Sequence, residues 1–152
     1  MNLNSRFLVA FVGMVALSLS GCASKIYTHP LRVMNLSEPT ADVYVFREDV
    51  SQGSGVATPV YLEENKLVQL RRATYARVHL KPGTYEMKAG TESYPCGLIC
   101  WTACTKAVNF EEGKTYYVLL SFASSGLKLC FKPDLITEEK AKSLMATYTA
   151  VD

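Results

Sequence analysis

The sequence predicts a mainly β fold, an antiparallel β-sandwich of about seven to eight short strands with one short C-terminal α-helix. Three observations carry this. Apolar and polar residues alternate with a period of two over most of residues 41–134. Clusters rich in Gly, Pro, Asn and Ser interrupt that alternation at short intervals, and only the last stretch changes to a helical period.

The elements follow in order. ADVYVFRE (41–48) alternates Val43 and Val45 with Tyr44 and Phe46, a strand covered on one face and partly on the other. EDVSQGSGVAT (48–58) holds two glycines and two serines and reads as a mobile loop. Its Gly53-Ser54-Gly55 precedes no helical pattern and so lacks the context of a phosphate cradle. PVYLEENKLVQL (59–70) reads as a hairpin turning near Glu64-Asn65-Lys66, where asparagine tolerates a left-handed backbone. TYARVHLKPGTYEMKAG (74–90) reads as a second hairpin, with Pro82 and Gly83 filling the central positions of a type II turn.

On the first strand of that second hairpin Tyr75, Arg77 and His79 share one face, and Ala76, Val78 and Leu80 the other. His79 is thus expected outside the core, with no carboxylate in its local sequence to mark it as catalytic. Residues 106–134 supply three more strands joined at Glu112-Gly113-Lys114 and Ser124-Ser125-Gly126. Val118, Leu120 and Phe122 face one way, as do Leu127, Leu129 and Phe131, which puts Cys130 on the polar side between Lys128 and Lys132. Thr137 caps a helix expected through Tyr148, with Glu138 and Glu139 in its first turn and an apolar stripe of Ala141, Leu144, Met145 and Tyr148. That stripe would pack on the sheet.

The N-terminus carries an address. Residues 1–21 place Arg6 before the apolar run Phe7–Leu19, the plan of a secretory signal peptide and too short for a comfortable membrane span. The run ends in Leu19-Ser20-Gly21-Cys22, which resembles the lipobox of bacterial lipoprotein precursors. The resemblance implies cleavage before Cys22, a diacylglycerol thioether on its thiol and an acyl chain on its amine. Several chains on one residue would anchor the protein stably. Ala23 follows in place of the aspartate that retains enteric-type lipoproteins in the inner membrane, so the periplasmic face of the outer membrane is expected. Residues 22–40, with two prolines and no sustained period, read as the lipidated cysteine and a linker, in which a lone His29 is expected to be solvated. As a free coil the linker would span about 20–25 Å and lift the domain off the headgroups, though Ile26, Leu31, Val33 and Met34 could dock part of it along the body.

Without residues 1–21 the chain has 15 basic and 14 acidic side chains, a balance that argues against nucleic acid as a partner. The remainder, 41–152, suits one domain with one core.

Several motifs together resemble a widespread, uncharacterised family of bacterial envelope lipoproteins. They are Val43-Tyr44-Val45-Phe46-Arg47, the glycine-rich loop, Val60-Tyr61-Leu62, Leu80-Lys81-Pro82-Gly83-Thr84-Tyr85 and Gly113-Lys114-Thr115-Tyr116-Tyr117-Val118. The proline-glycine element also resembles transthyretin-like or PEGA-like β-sandwich modules. The resemblance implies a fold and a location and brings no catalytic residues. The insertion at 93–105 departs from that pattern.

Within the insertion, YPCGLICWTACT (94–105) holds Cys96, Cys100 and Cys104 at four-residue steps, and Cys130 is the fourth cysteine beside the lipidated one. In an oxidising envelope an even count favours two disulfides, with the pairing open. As one continuous strand, steps of four would set the sulfurs about 13 Å apart, beyond a bridge, so the insertion should fold back on itself. A bridge to Cys130 would close a loop of about 27–35 residues, contributing roughly 3–4 kcal/mol. Paired CxxC knuckles for zinc, iron–sulfur spacings, CxxCH for haem and a redox CxxC at a helix start are all lacking, so no metal and no cofactor is implied.

Tyr94, Leu98, Ile99 and Trp101, the only tryptophan, either cap one end of the sandwich or form an apolar patch that binds an envelope protein or a glycan. The sequence shows no G-x-S-x-G, HExxH or close acid pair, which leaves a non-catalytic binding or assembly module ahead of a small hydrolase, a thiol oxidoreductase or a purely structural lipoprotein.

Overall fold

A computed structural model describes residues 24–35, 37–90 and 100–151, with Cys100 described by its backbone alone. The expected mainly β architecture is present, as two sheets face to face. Eight strands have five residues or more: β2 (Ala41–Arg47), β3 (Thr58–Leu62), β4 (Asn65–Leu70), β5 (Thr74–Leu80), β6 (Gly83–Ala89), β8 (Cys104–Phe110), β9 (Thr115–Ser125) and β10 (Lys128–Leu135). Three short strands join them at the margins: β1 (Lys25–Ile26), β7 (Cys100–Trp101) and β11 (Thr149–Val151).

The five-stranded sheet runs β1-β4-β3-β6-β8 and is antiparallel throughout. The six-stranded sheet runs β11-β5-β2-β9-β10-β7, with parallel pairings at β2–β9, β5–β11 and β7–β10. The period-two stripes close on each other between the sheets. Val43, Val45, Val78, Leu80, Val118 and Leu120 come from one side, and Val60, Leu62, Leu70, Met87, Val108 and Phe110 from the other. Each such side chain contributes roughly 1.5–3 kcal/mol on full burial.

The expected connections between strands are corrected in part. β5 and β6 lie in different sheets, so Pro82-Gly83 leads the chain across the sandwich rather than back along its neighbour. Gly83 has φ 154°, not the value of a type II turn, and a Cβ there would stand 2.6 Å from Oη of Tyr85. That hydroxyl lies within hydrogen-bond reach of the carbonyls of Lys81 (3.2 Å) and Pro82 (3.1 Å), so the tyrosine ring seals the corner that glycine opens. Residues 111–114 likewise carry the chain from β8 to β9 in the other sheet. In the true hairpin β3–β4 the left-handed residue is Glu63 (φ 54°), ahead of the expected asparagine.

The helix, α1 (Glu138–Met145), is shorter than expected. Thr137 caps it, its Oγ1 accepting from Lys140 N–H at 3.4 Å. Ala141, Leu144, Met145 and Tyr148 pack over Phe46 and Leu119 on the outer face of the six-stranded sheet. Tyr148 then turns into β11, which pairs parallel with β5 and which the sequence did not announce.

From Ser24 onward the stretch 22–40 docks on the body rather than running as a free linker. β1 pairs with β4, and Tyr27 N–H donates to the carbonyl of Leu67 at 3.0 Å. His29, expected in solvent, is 3% exposed. Its Nδ1 accepts from Leu31 N–H (3.1 Å), which leaves Nε2–H to donate to the carbonyl of Leu62 (3.0 Å) and so fixes the neutral Nε2–H tautomer. Ile26, Leu31 and Val33 join the core while Met34 stays in solvent. The segment docks because it can pair its backbone and bury these apolar side chains together.

Candidate functional site

The candidate site lies at the end of the sandwich where β2 runs out. Residues 41, 43, 45 and 47 share one face of β2, so the alternation that buries Val43 and Val45 also drives Arg47 inward. Arg47 is completely buried. Its Nη2 donates to the carbonyl of Gly53 at 2.7 Å and its Nη1 to that of Val56 at 3.2 Å. The loop 48–57, expected to be mobile, is therefore pinned by a guanidinium that recruits two of its carbonyls. The planar fork suits this task better than an ammonium would.

The guanidinium carbon also sits 4.4 Å from the centroid of the Phe131 ring, a cation–π contact strengthened by burial. Nε of Arg47 has no hydrogen-bond partner among the described residues. Burial lowers the guanidinium from its ordinary pKa, and the nearby cations Arg71 and Arg72 push the same way.

Trp101 comes from β7, held along β10 by parallel pairing with Leu129 and by Thr102 N–H donating to Leu129 O at 2.9 Å. Its indole stacks on Phe131 with centroids 5.8 Å apart and lies tilted 6.3 Å from Phe122. On another side it presses on the pinned loop: Gly53 has φ 66°, and a Cβ there would come within 2.8 Å of the indole edge. Arg47, Gly53, Phe131 and Trp101 thus form one packed unit.

Beside this unit opens a cleft of about 440 Å3, walled by Gly53, Val56, Pro59, Trp101, Thr102 and Phe131. Among the described residues its remaining lining is also free of ionisable side chains. Such a wall offers aromatic faces, apolar surface and a few backbone polar groups, which suits stacking and shape recognition. The described lining holds no side chain that would serve as a general acid or base.

The residues singled out by sequence fare unequally. Cys22, Tyr94, Cys96, Leu98 and Ile99 lie outside the described residues, and Cys100 enters as the backbone of β7. Trp101 packs against the core and also lines the cleft. Cys104 is bonded to Cys130, with Cα atoms 5.8 Å apart. The bridge links β8, the edge of the five-stranded sheet, to β10 of the other. It also explains why Cys130, expected on a polar face, is buried.

One polar cluster escaped the sequence reading. The antiparallel register of β2 and β5 sets Asp42 opposite His79. Oδ1 of Asp42 lies 2.5 Å from Nδ1 of His79, and Oδ2 accepts from Nη2 of Arg77 at 2.8 Å. The hydrogen bond to Asp42 raises the pKa of Arg77. Arg77 in turn lies over Tyr44, 5.5 Å from its centroid. The Asp42–His79 approach lacks the alignment of a hydrogen bond, and no serine, threonine or cysteine is hydrogen-bonded to His79 among the described residues, so the pair falls short of an acid–base relay. Only strand pairing brings this carboxylate to the histidine.

Among the described residues no group of three or more His, Cys, Asp or Glu is placed to hold a metal ion, and no helix is long and apolar enough to cross a membrane. Comparison with protein-family models and with curated proteins finds no match to this chain.

Proposed function

We propose that the protein is a lipid-anchored bacterial envelope protein, a non-catalytic binding or assembly module held through Cys22 on the periplasmic side of the outer membrane, with the Trp101 cleft as its contact site. The observation that carries the binding role is the cleft itself. Its aromatic wall is preorganised by Arg47, by the pinned loop and by the bridge from Cys104 to Cys130, so little ordering entropy is lost on binding. The Leu19-Ser20-Gly21-Cys22 sequence supports the anchor.

The partner is an envelope protein or a glycan. A benzophenone amino acid at Val56, on the exposed rim, should capture it in intact cells. Capture should vanish with Trp101→Ala in a chain that still unfolds cooperatively. Thr102→Arg, which fills the cleft from its edge, serves as the second variant if Trp101→Ala does not fold. Capture that survives a blocked cleft overturns the assignment. Cys22→Ser should release the protein from membranes, and unchanged lipid labelling of that variant would remove the anchor.

A hydrolase reading has one observation in its favour, the Asp42–His79 pair. Ester or amide hydrolysis by the purified protein, lost on His79→Ala, would move the assignment there.

A further inference from the structure

The short tether and the end of the fold to which it leads have a consequence for how the domain sits. Ser24 is fastened to the body: its Oγ accepts from Arg71 N–H at 2.9 Å and lies 3.3 Å from Oγ1 of Thr74. Lys25 pairs with Gln69 in the next position. Cys22 is two residues from Ser24, so the anchor lies at most about 7 Å from a fixed point on the sandwich. A linker of the length expected from the sequence, able to lift the domain off the headgroups, is not available.

The point of attachment is at the same end as Arg47 and its loop, because Arg47 pairs with Thr74 and Arg72 is bonded to Asp49 at 2.5 Å. β9 runs parallel to β2, so the β9–β10 hairpin also turns at this end. Arg47 stands opposite Leu120, and β9 continues five residues further to Ser125, about 16 Å past the end of β2. Its tip carries Leu127, 64% exposed, next to the exposed Lys128, and the pinned loop presents Val56, 56% exposed.

The charges are graded in the same direction. Lys25, Arg71, Arg72 and Lys128 are exposed at this end against Glu48 and Asp49, whereas at the opposite turns Glu63, Glu64, Glu111 and Glu112 outnumber Lys66, Lys81 and Lys114. Exposed apolar side chains at a protruding tip, ringed by cations and held within a few ångströms of an acylated residue, match an anionic phospholipid surface. The tether supplies the effective concentration that makes weak contacts sufficient.

We infer that this end of the sandwich docks on the lipid bilayer, with Leu127 and Val56 entering the headgroup layer and Arg71, Arg72 and Lys128 facing anionic lipid. The mouth of the Trp101 cleft then opens next to the membrane surface. The inference rests on the lipid anchor proposed above.

The test uses the full chain, purified from membranes and reconstituted in mixed phosphatidylethanolamine–phosphatidylglycerol vesicles, with p-benzoylphenylalanine at position 127, 56 or 112. The mass of the N-terminal peptide first reports acylation of Cys22. With Cys22 acylated, irradiation should yield phospholipid adducts at positions 127 and 56 and only background at 112. Combined Arg71→Gln and Arg72→Gln should lower the yield at 127. Equal yields at both ends, or none at 127 and 56, overturn this inference and leave the anchor standing. An unacylated Cys22 overturns both.

Discussion

The guanidinium of Arg47 donates to the carbonyl of Gly53 at 2.7 Å and thereby presses the glycine against the indole edge of Trp101. A fully buried cation is spent on holding a loop, and the aromatic wall of the cleft is as rigid as that contact. Arg47→Ala removes two charge-assisted hydrogen bonds and leaves a cavity, so it should destabilise the protein by about 3–5 kcal/mol in urea denaturation. Arg47→Lys should recover only part, since one ammonium does not reproduce the planar fork that spans both carbonyls. In both variants the emission of Trp101 should shift to the red as the loop lifts. A loss below about 1 kcal/mol with unchanged emission would show that the loop holds itself.

Cys104 and Cys130 close a loop with a sequence separation of 26, for which chain entropy gives about 3–4 kcal/mol. Cys130→Ser should lower stability by that order in non-reducing denaturation. With that pair assigned, and with Cys22 lipidated as proposed, Cys96 and Cys100 remain for each other. Peptide mapping without reductant should therefore recover two bridges, 104–130 and 96–100, and a free thiol at either Cys96 or Cys100 would refute the second.

His29 joins the N-terminal segment to the body through the carbonyl of Leu62, its ring held in place by Leu31 N–H. His29→Ala should cost about 2–3 kcal/mol, combining a cavity with lost hydrogen bonds. The loss should be local first. Amide exchange of Tyr27 and Val33, which donate to Leu67 and His79, should accelerate before that of β2 or β9. Uniform acceleration throughout would mean that the segment is integral to the cooperative core.

Alkaline pH should weaken the fold. Burial raises the hydroxyl of Tyr148 above its ordinary value of 10.0, partly opposed by the hydrogen bond from Asp49 N–H. Tyr117 is raised as well, first by burial. A group whose folded pKa lies above its unfolded one contributes its full stability below the unfolded value and loses it as pH rises through the folded one. The melting temperature should therefore decline from about pH 10 upward. Tyr148→Phe should start lower, lacking the bond to Asp49, and decline less steeply. An identical slope in that variant would exclude Tyr148 as a source of the alkaline loss.

Much of the candidate site was legible one residue at a time and illegible as an assembly. Trp101 stands out by composition alone, and the even number of cysteines besides Cys22 pointed to bridges. Arg47 was readable in principle, because it continues the inward stripe of Val43 and Val45, yet a charged residue at the end of a strand is ordinarily read as its solvent boundary. Its burial becomes favourable only because the 48–57 loop folds back with two free carbonyls and Phe131 offers a ring face. His79 was placed on the correct face, but its carboxylate is 37 positions away and is delivered only by the register of β2 against β5.

By itself the sequence determined the eight longer strands, most of their inward faces and the capped helix, because side-chain alternation, turn chemistry and the Thr137 cap are local properties of the chain. It did not determine which sheet each strand joins. An inward stripe looks the same whether its strand pairs with its neighbour or crosses the sandwich, so the routes at Pro82-Gly83 and at 111–114 were decided by packing the two sheets together. The same global closure brought Cys104 to Cys130, buried Arg47 beneath its loop, and drew residues 24–33 onto β4 and the core. These contacts are long-range, and their stability appears only when both partners are already in place.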